Sequence, residues 1–463
     1  MHMLLDTHHI HFVGVGGVGM VGLAKVLLEA GHRISGSDLK PSAAALALAS
    51  QGAAISEGHS AEAVDGAELV VASSAIPANN PELERAREKG IPAIKRAELL
   101  GMLTRQRQSI CVAGTHGKTT TSAMLAWVLE RAGLGPTFMV GGELLNLGTG
   151  ARLGAGEYLV AEADEFDGSF LRFSPWTAVV TNIEADHLDY YGTLDAIVDA
   201  FRSFIRLVPA NGYAVVSADD TRAREIAQDC RGRVVTYGVA TDAGWQAVNI
   251  HPNRKGGNDF DAVGWGVLNG PYSLRVPGRH NVLNALATIA VAAVAFGDRL
   301  DCRIVRTALA EFQGTARRFE HKGTVGGVAV YDDYAHHPTE VKATLSAARE
   351  RHNGRLWVVF QPHTYHRTKE LFSQFVTAFD LADRVVITDV YMPPGREADT
   401  LGISSRDLVK AMARQGAEYI GDLDEAARHL DGQLAPGDML LVMGAGSITR
   451  LAGAVLELLK RRG

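Results

Sequence analysis

Two glycine loops, each set between an apolar strand pattern and a helical one, restrict the folds open to this chain more than any other feature. His9 to Val15 reads as a strand, Gly14-Val-Gly-Gly-Val-Gly19 follows it, and Met20, Leu23, Val26, Leu27 and Ala30 then recur with helical spacing. The same order returns later: Ile110 to Ala113 is a strand, Gly114-Thr-His-Gly-Lys-Thr-Thr-Thr121 a loop, and a helix runs on to about Arg131. A strand that enters a helix through a glycine turn belongs to a parallel sheet, whose ligands collect at the C-terminal strand ends. Two such units imply at least two α/β domains. At roughly 150 residues per domain, 463 residues make about three.

The rest of the chain fills in that plan. Arg33 to Ser37 is a strand ending at Asp38, Glu68 to Ser73 is another, and Glu82 to Lys89 is a polar helix after the turn Ser74-Ala-Ile-Pro-Ala-Asn-Asn-Pro81. The polar stretch Thr104-Arg-Gln-Arg-Gln108 closes a first domain, placed at 1–106. A second, 107–315, carries strands at Leu159 to Ala161 and Ala178 to Thr181 and short strands and turns from Arg233 to Val276. An apolar helix opened by Gly278-Arg-His-Asn-Val-Leu-Asn284 follows them. A third, 316–463, alternates again, with strands at Val328 to Tyr331, Leu356 to Phe360, Arg384 to Thr388 and Met439 to Val442 and helices at Pro338 to Arg349 and Lys369 to Phe379. The fold class is α/β in three domains. The N-terminal and C-terminal domains are Rossmann-like, and the central one is of P-loop ATPase type, with a parallel sheet and a small β-rich part.

Composition narrows the function. The chain has 50 glycines, about one residue in nine where about 7% is usual, as tight ligand loops require. Lys and Arg number 46 against 52 Asp and Glu, a net charge of −6 that speaks against a general nucleic-acid or acidic-membrane binder. The longest apolar run, Ala285 to Phe296, is broken by Thr288 and is short for a bilayer, so no membrane span is expected. The N-terminus has neither a basic leader nor a cleavage site, and a cytoplasmic protein is expected. Cys111, Cys230 and Cys302, odd in number and widely spaced, suggest buried thiols, not disulfides or zinc. His2, His8, His9 and His11 lack metal spacing and read as a frayed terminus and strand.

The motifs carry more chemistry. Gly14-x-Gly16-x-x-Gly19, with Asp38 nineteen residues beyond Gly19, satisfies the dinucleotide fingerprint and offers backbone amides and a helix N-terminus to a pyrophosphate. Gly114 to Thr119 is a shortened phosphate loop, since Val112 stands where the full spacing has glycine. Lys118 would reach β and γ phosphates and a Thr hydroxyl would meet magnesium. Glu162-Ala-Asp-Glu-Phe-Asp167 crowds four carboxylates at a strand end, and Asn182-Ile-Glu-Ala-Asp-His187 follows the next strand. Carboxylates at that density repel unless a cation sits among them, and magnesium is the economical one. Asp332-Asp-Tyr-Ala-His-His-Pro338 and Gln361-Pro-His-Thr-Tyr-His-Arg367 close two neighbouring strands of the third domain and suggest a further site there.

In this order the motifs resemble the Mur ligases over essentially the whole chain. The resemblance rests on HFVGVGGVGM at the start, SGSD ending at Asp38, AGTHGKTTT at 113–121, EADEFDGSFL at 162–171 and TNIEADHLDYY at 181–191. It continues through GRHNVLNA at 278–285, ARRFE at 316–320, DDYAHHPTEV at 332–341, FQPHTYHRT at 360–368 and GAGSI at 444–448. It implies an ATP-dependent, magnesium-dependent ligase of peptidoglycan precursor synthesis, serving cell wall biogenesis, cell shape and division. L-alanine would be joined to the lactyl carboxylate of UDP-N-acetylmuramate through an acyl phosphate, with ADP and phosphate released. The N-terminal fingerprint would then hold a UDP pyrophosphate through Gly14, Gly16, Gly17, Gly19, Asp38, Ser73, Ser74 and His116. ATP would be met by Gly114, Thr115, His116, Gly117, Lys118, Thr119, Thr120, His280, Asn281, Arg317 and Asp333. Thr119, Glu162 and His187 would hold the metal, and Tyr334, His336, His363 and Arg367 the amino acid. Lys118, Glu162, His187, His336 and Arg367 would carry the catalysis, with His336 a base for the amine.

Two positions depart from the family pattern. Thr364 stands where some members carry an additional Arg, and no Lys occurs between Lys118 and Lys255 to supply the carbamoylated lysine that several sister ligases use to hold magnesium. Competing readings are a ligase that recycles a whole peptide onto the same UDP-sugar, an NAD-dependent dehydrogenase using Gly14 to Gly19 and Asp38, and a non-catalytic ATP-binding regulator.

Overall fold

His9–Val13 (β1) is buried at all five positions, which is how a parallel strand covered on both faces must read. It lies at the centre of a five-stranded parallel sheet with Arg33–Asp38 (β2), Ala54–Glu57 (β3), Leu69–Ala72 (β4) and Ala93–Lys95 (β5), in the order β3-β2-β1-β4-β5. That is the doubly wound arrangement expected from the first glycine loop. The structure, a computed structural model, describes residues 7–240, 242–393, 399–412 and 416–462.

The central unit is a ten-stranded sheet. Gln108–Ala113 (β6) sits between Tyr158–Glu162 (β9) and Thr177–Val180 (β10), all parallel, and the hairpin Thr137–Leu144 (β7) and Thr149–Arg152 (β8) extends one edge. On the other side come Tyr213–Ser217 (β11), Arg233–Gly238 (β12) and Trp245–Pro252 (β13), then the antiparallel strands Asn258–Val263 (β14) and Gly270–Ser273 (β15), the small β-rich part. The register brings the C-terminal ends of β6, β9 and β10 side by side. Gly114, Glu162 and Thr181 therefore emerge at one place.

The third sheet follows the order β16-β17-β21-β18-β19-β20, with Glu320–Val325 (β16) antiparallel at its edge. Val328–Asp333 (β17), Leu356–Phe360 (β18), Arg384–Ile387 (β19), Ala417–Tyr419 (β20) and Met439–Met443 (β21) are parallel. Both His-rich segments leave this sheet at C-terminal strand ends, but β17 and β18 are not the neighbours the sequence suggested, because β21 lies between them and pairs with both.

Four further expectations change. His9 and His11 are not frayed: their face of β1 is buried beneath the helix Pro81–Lys89, where His11 Nε2 lies 3.2 Å from the fully buried Glu82 and Ser37 donates to the same carboxylate at 2.6 Å. His8 is exposed, and His2 lies outside the described residues. Only Cys111 is buried, whereas Cys230 and Cys302 are half-buried. The expected helix 369–379 is two short ones, Tyr365–Glu370 and Phe372–Val376, because the Thr364 hydroxyl accepts from Arg367 N and starts the first early, while Leu371 leaves helical geometry between them. The apolar run is longer than its core, since Arg279–Phe296 is a continuous 18-residue helical stretch, apolar and long enough to span a bilayer by composition. It is 72% buried within the protein and packs on the helix Lys118–Arg131, so here it is a core helix.

Candidate active site

The phosphate loop gets its shape from its neighbours. Gly117 has φ +84, and a Cβ there would stand 2.6 Å from Asn284 Oδ1; at Gly114, φ +134, a Cβ would meet Thr181 Oγ1. Only glycine fits both places. Asn182 receives Thr115 N on its carbonyl at 3.0 Å and His116 N on its side chain at 2.9 Å, and Thr181 Oγ1 donates to His116 O at 2.6 Å. No side chain caps the helix that starts at Lys118, so its leading amides and positive end are free for an anion. Thr115, Gly117, Lys118 and Thr119 line a cavity of about 880 Å³ that Gly16 and Gly19 reach from the N-terminal domain and Arg317, Tyr334, His336, His363 and Arg367 from the C-terminal one.

Charge is concentrated along this cavity. Lys118 Nζ lies 2.7 Å from Glu165 and 3.9 Å from Asp164. Burial opposes its charge, but Glu165, Asp164 and Glu162 together outweigh that and hold the ammonium above its ordinary range. Burial pushes the Glu165 carboxyl up to about 7 against the pull of Lys118, and its second oxygen is buried without a hydrogen-bond partner. Thr119 donates to Glu162 at 3.1 Å, and Gly141 N donates to the other oxygen of that carboxylate at 2.7 Å. His187, at φ +54, brings a ligand atom within 4.8 Å of Asp164 and Glu165. Burial, with Arg367 and Lys118 nearby, lowers its imidazole and keeps it neutral, the form that ligates metal. Of the three residues expected to hold magnesium, Thr119 and Glu162 are thus in contact, while His187 is grouped with Asp164 and Glu165.

His116 stands where two domains meet. Its Nε2 is 3.4 Å from Glu184, its Nδ1 3.4 Å from Glu340, and Thr339 beside Glu340 donates to Glu184 at 2.7 Å. Glu340 also lies 3.2 Å from His336 and 3.5 Å from Arg318. Burial alone would lower the His116 imidazole, but its two carboxylate partners raise it to about 9. The folded chain keeps a proton that the unfolded chain releases near 6.5, so this contribution to stability is complete below pH 6.5 and is lost as the pH rises toward 9. The first thermal unfolding transition should fall across that window and Glu340→Gln should flatten the fall. A transition temperature indifferent to pH there would contradict the assignment.

On the amino-acid side, Arg367 is buried and donates to Asp186 Oδ1 through Nη2 at 2.6 Å and Nε at 3.1 Å, with His363 Nδ1 3.1 Å from its Nη1. The expectation took no account of Asp186. The guanidiniums of Arg317 and Arg318 both lie over the Tyr334 ring, 4.9 and 5.0 Å from its centre. Asp333 is turned to the backbone, accepting from Phe319 N and Ala335 N at 2.7 Å each, and burial pushes its carboxyl up to about 6. Asn281 is likewise buried, bonded to Pro277 O and to Asn284, which accepts from Thr121 and so ties the helix to the phosphate-loop helix. His280 is exposed beside it, and Thr120 is buried in the first turn of the phosphate-loop helix.

At the first glycine loop Asp38 accepts from Gly16 N at 2.8 Å and braces the turn. Gly14 (φ +78) packs on Ser73, Ser74 donates to Asp167 across the domain boundary at 3.2 Å, and Gly17 precedes the helix Val18–Glu29. Arg96 leans over Gly19, close enough that a Cβ there would lie 2.8 Å from its Nη1. Sequence reasoning missed Arg96, which no local motif marks, and did not single out Arg318 and Glu340, although ARRFE and DDYAHHPTEV contain them. Glu165 and Asp186 were inside the acidic runs but not singled out.

The family description "Mur ligase family, catalytic domain" matches residues 9–108, "Mur ligase middle domain" 112–292 and "Mur ligase, glutamate ligase domain" 317–446. A UDP-N-acetylmuramate--L-alanine ligase from Caldanaerobacter subterraneus subsp. tengcongensis is 44% identical over 451 residues, 97% of each chain. The chain belongs to the Mur ligase family. Among solved structures, this Mur ligase is similar to the UDP-N-acetylmuramate-alanine ligase MurC of Thermotoga maritima, with a TM-score of 0.82 and 31% identity over 98% of this chain and 100% of that one. A murein peptide ligase from Psychrobacter arcticus gives 0.72 and 26% over 98% of both.

Proposed function

We propose that this Mur ligase joins L-alanine to the lactyl carboxylate of UDP-N-acetylmuramate at the expense of ATP, in the synthesis of peptidoglycan precursor. The observation that carries the reading is 44% identity over nearly the full length to an alanine-adding ligase, matched by a cavity at which residues of all three domains meet the phosphate loop. Over the full length the peptide-recycling reading has the weaker likeness, the murein peptide ligase of Psychrobacter arcticus giving a TM-score of 0.72 against 0.82. The domains at 1–106, 107–315 and 316–463 take the UDP-sugar, ATP and alanine respectively. A nucleoside triphosphate and a nucleotide sugar as substrates place the reaction in the cytoplasm.

The lactyl carboxylate attacks the γ-phosphorus, ADP leaves, and the amine of alanine then displaces phosphate from the acyl phosphate. Lys118 and the leading amides of its helix face the charge that develops on the transferred group. On nucleotide binding Lys118 exchanges its contact with Glu165 for phosphate oxygens, and Glu165, with its carboxyl near 7, accepts a proton at little cost. His336, oriented by Glu340, takes the proton that the amine loses. Glu162 and Thr119, with Asp164 and His187 beside a carboxylate oxygen that lacks a partner, form a hard, oxygen-rich donor set that fits magnesium. Magnesium held there by Thr119, Glu162 and His187 would neutralise phosphate charge. With no lysine between 118 and 255, turnover needs no carbamoyl group and is indifferent to bicarbonate.

The test is phosphate release at fixed ATP and UDP-N-acetylmuramate with glycine, L-alanine, L-serine or the L-alanyl-γ-D-glutamyl-diaminopimelate tripeptide. Alanine should lead and larger substrates should fail. Glycine should be poor but detectable, since one methyl group is worth about 1–3 kcal/mol. Preference for the tripeptide would promote the recycling ligase.

A further inference from the structure

The Arg367 to Asp186 contact is unusual in placing two opposite charges of two domains on the wall of the cavity that the substrates share. Both side chains are nine-tenths buried, and both line the cavity. Among the described residues the hydrogen bonds to this carboxylate converge on one oxygen: Asp186 Oδ1 accepts from Arg367 Nε and Nη2 and from His187 N. Among the described residues no hydrogen bond reaches Oδ2, whose nearest charged neighbour is His187 Nε2 at 3.8 Å.

We propose that Asp186 and Arg367 together are the receptor for the zwitterion of the amino acid, with Arg367 taking the α-carboxylate and Asp186, through its open Oδ2, the α-ammonium. The assignment rests on alanine being the substrate and on Arg367 facing its carboxylate. Its physical basis is charge conservation: a zwitterion entering a dry cleft must find a partner for each end, and stripping either ion of its counter-ion is costly. A built-in pair supplies both partners, because the one internal ion pair is exchanged for two intermolecular ones and no buried charge is left alone. The arrangement also favours chemistry. It holds the amine beside Asp186 with His336, the base for its proton, on the same cavity wall.

The pair thus reads both ends of the substrate, and the two ends are separable by experiment. KM for L-alanine is measured for the parent, Asp186→Asn, Asp186→Glu and Arg367→Ala, alongside inhibition by L-lactate, which carries the carboxylate without an ammonium. Asp186→Asn should raise the alanine KM at least about tenfold, the loss of one charge-assisted contact, while the inhibition constant of L-lactate stays within about threefold of the parent and KM for ATP and UDP-sugar does not move. Asp186→Glu should recover part of the loss. Arg367→Ala should weaken alanine and lactate together. If Asp186→Asn weakens both alike, Asp186 only positions Arg367 and the proposal fails. An unchanged alanine KM with a raised magnesium requirement would give Asp186 to the metal and also overturn it. Failure of the underlying reading looks different: the parent would release no phosphate on alanine, or Arg367→Ala would leave both constants unchanged.

Discussion

Lys118→Ala is expected to lower phosphate release at least about a hundredfold while the fold survives, since removing one donor aimed at developing charge commonly costs 10²–10³ in kcat. The structure explains why stability should be spared. Lys118 is paired with Glu165 at 2.7 Å in a buried setting, and loss of one partner of a buried pair is usually severe. Here the other partner has an escape. Burial already holds the Glu165 carboxyl near 7, so without the ammonium it protonates and no buried charge remains. Thermal unfolding of the variant should therefore stay close to that of the parent at neutral pH and worsen as the pH rises and the proton is harder to keep. A variant that turns over at more than about a tenth of the parent rate, an effect of at most about 1.4 kcal/mol, would remove Lys118 from the phosphoryl-transfer role.

Arg367→Ala should raise the concentration of alanine needed for half-maximal rate at least about tenfold, because a carboxylate in a partly dry cleft loses a charge-assisted donor worth roughly 1.5–3 kcal/mol. ATP and UDP-sugar dependence should stay near normal. Thr364 cannot replace the lost charge, as its hydroxyl is already engaged in capping the helix that carries Arg367. This substitution differs from that at Lys118 in its structural cost. Burial opposes the Asp186 charge, and the Arg367 guanidinium is what chiefly holds its carboxyl well below the usual carboxylate range, so removing Arg367 makes that buried charge costly to keep at neutral pH. The variant should lose stability as well as alanine affinity, and acid should restore part of the stability. Unchanged alanine dependence would take Arg367 out of the site.

What could be read from the amino-acid order was whatever depends on neighbours in sequence. Both glycine loops, the strands that feed them and the acidic strand ends are local patterns, and the β6, β9 and β10 register then brings Gly114, Glu162 and Thr181 together. The partners of those residues were not legible, because they come from distant turns of chain. Asp186 meets Arg367 181 residues away, and His116 meets Glu340 from another domain. His11 and Glu82, 71 residues apart, looked like a frayed strand and a polar helix because a buried polar contact leaves no periodic signal in either. The Thr364 cap was hidden by the same limit, since φ +62 at a threonine is set by its surroundings and not by its propensity.

The central claim is that the sugar's own carboxylate is activated by phosphorylation before alanine attacks. It is tested by labelling the lactyl carboxylate of UDP-N-acetylmuramate with ¹⁸O, running the complete reaction with ATP, magnesium and L-alanine, and weighing the products. One labelled oxygen should leave in each phosphate released, and the UDP-sugar should gain one alanine residue by mass. Phosphate that carries no label, with the label retained entirely in the UDP-sugar product, would contradict the account.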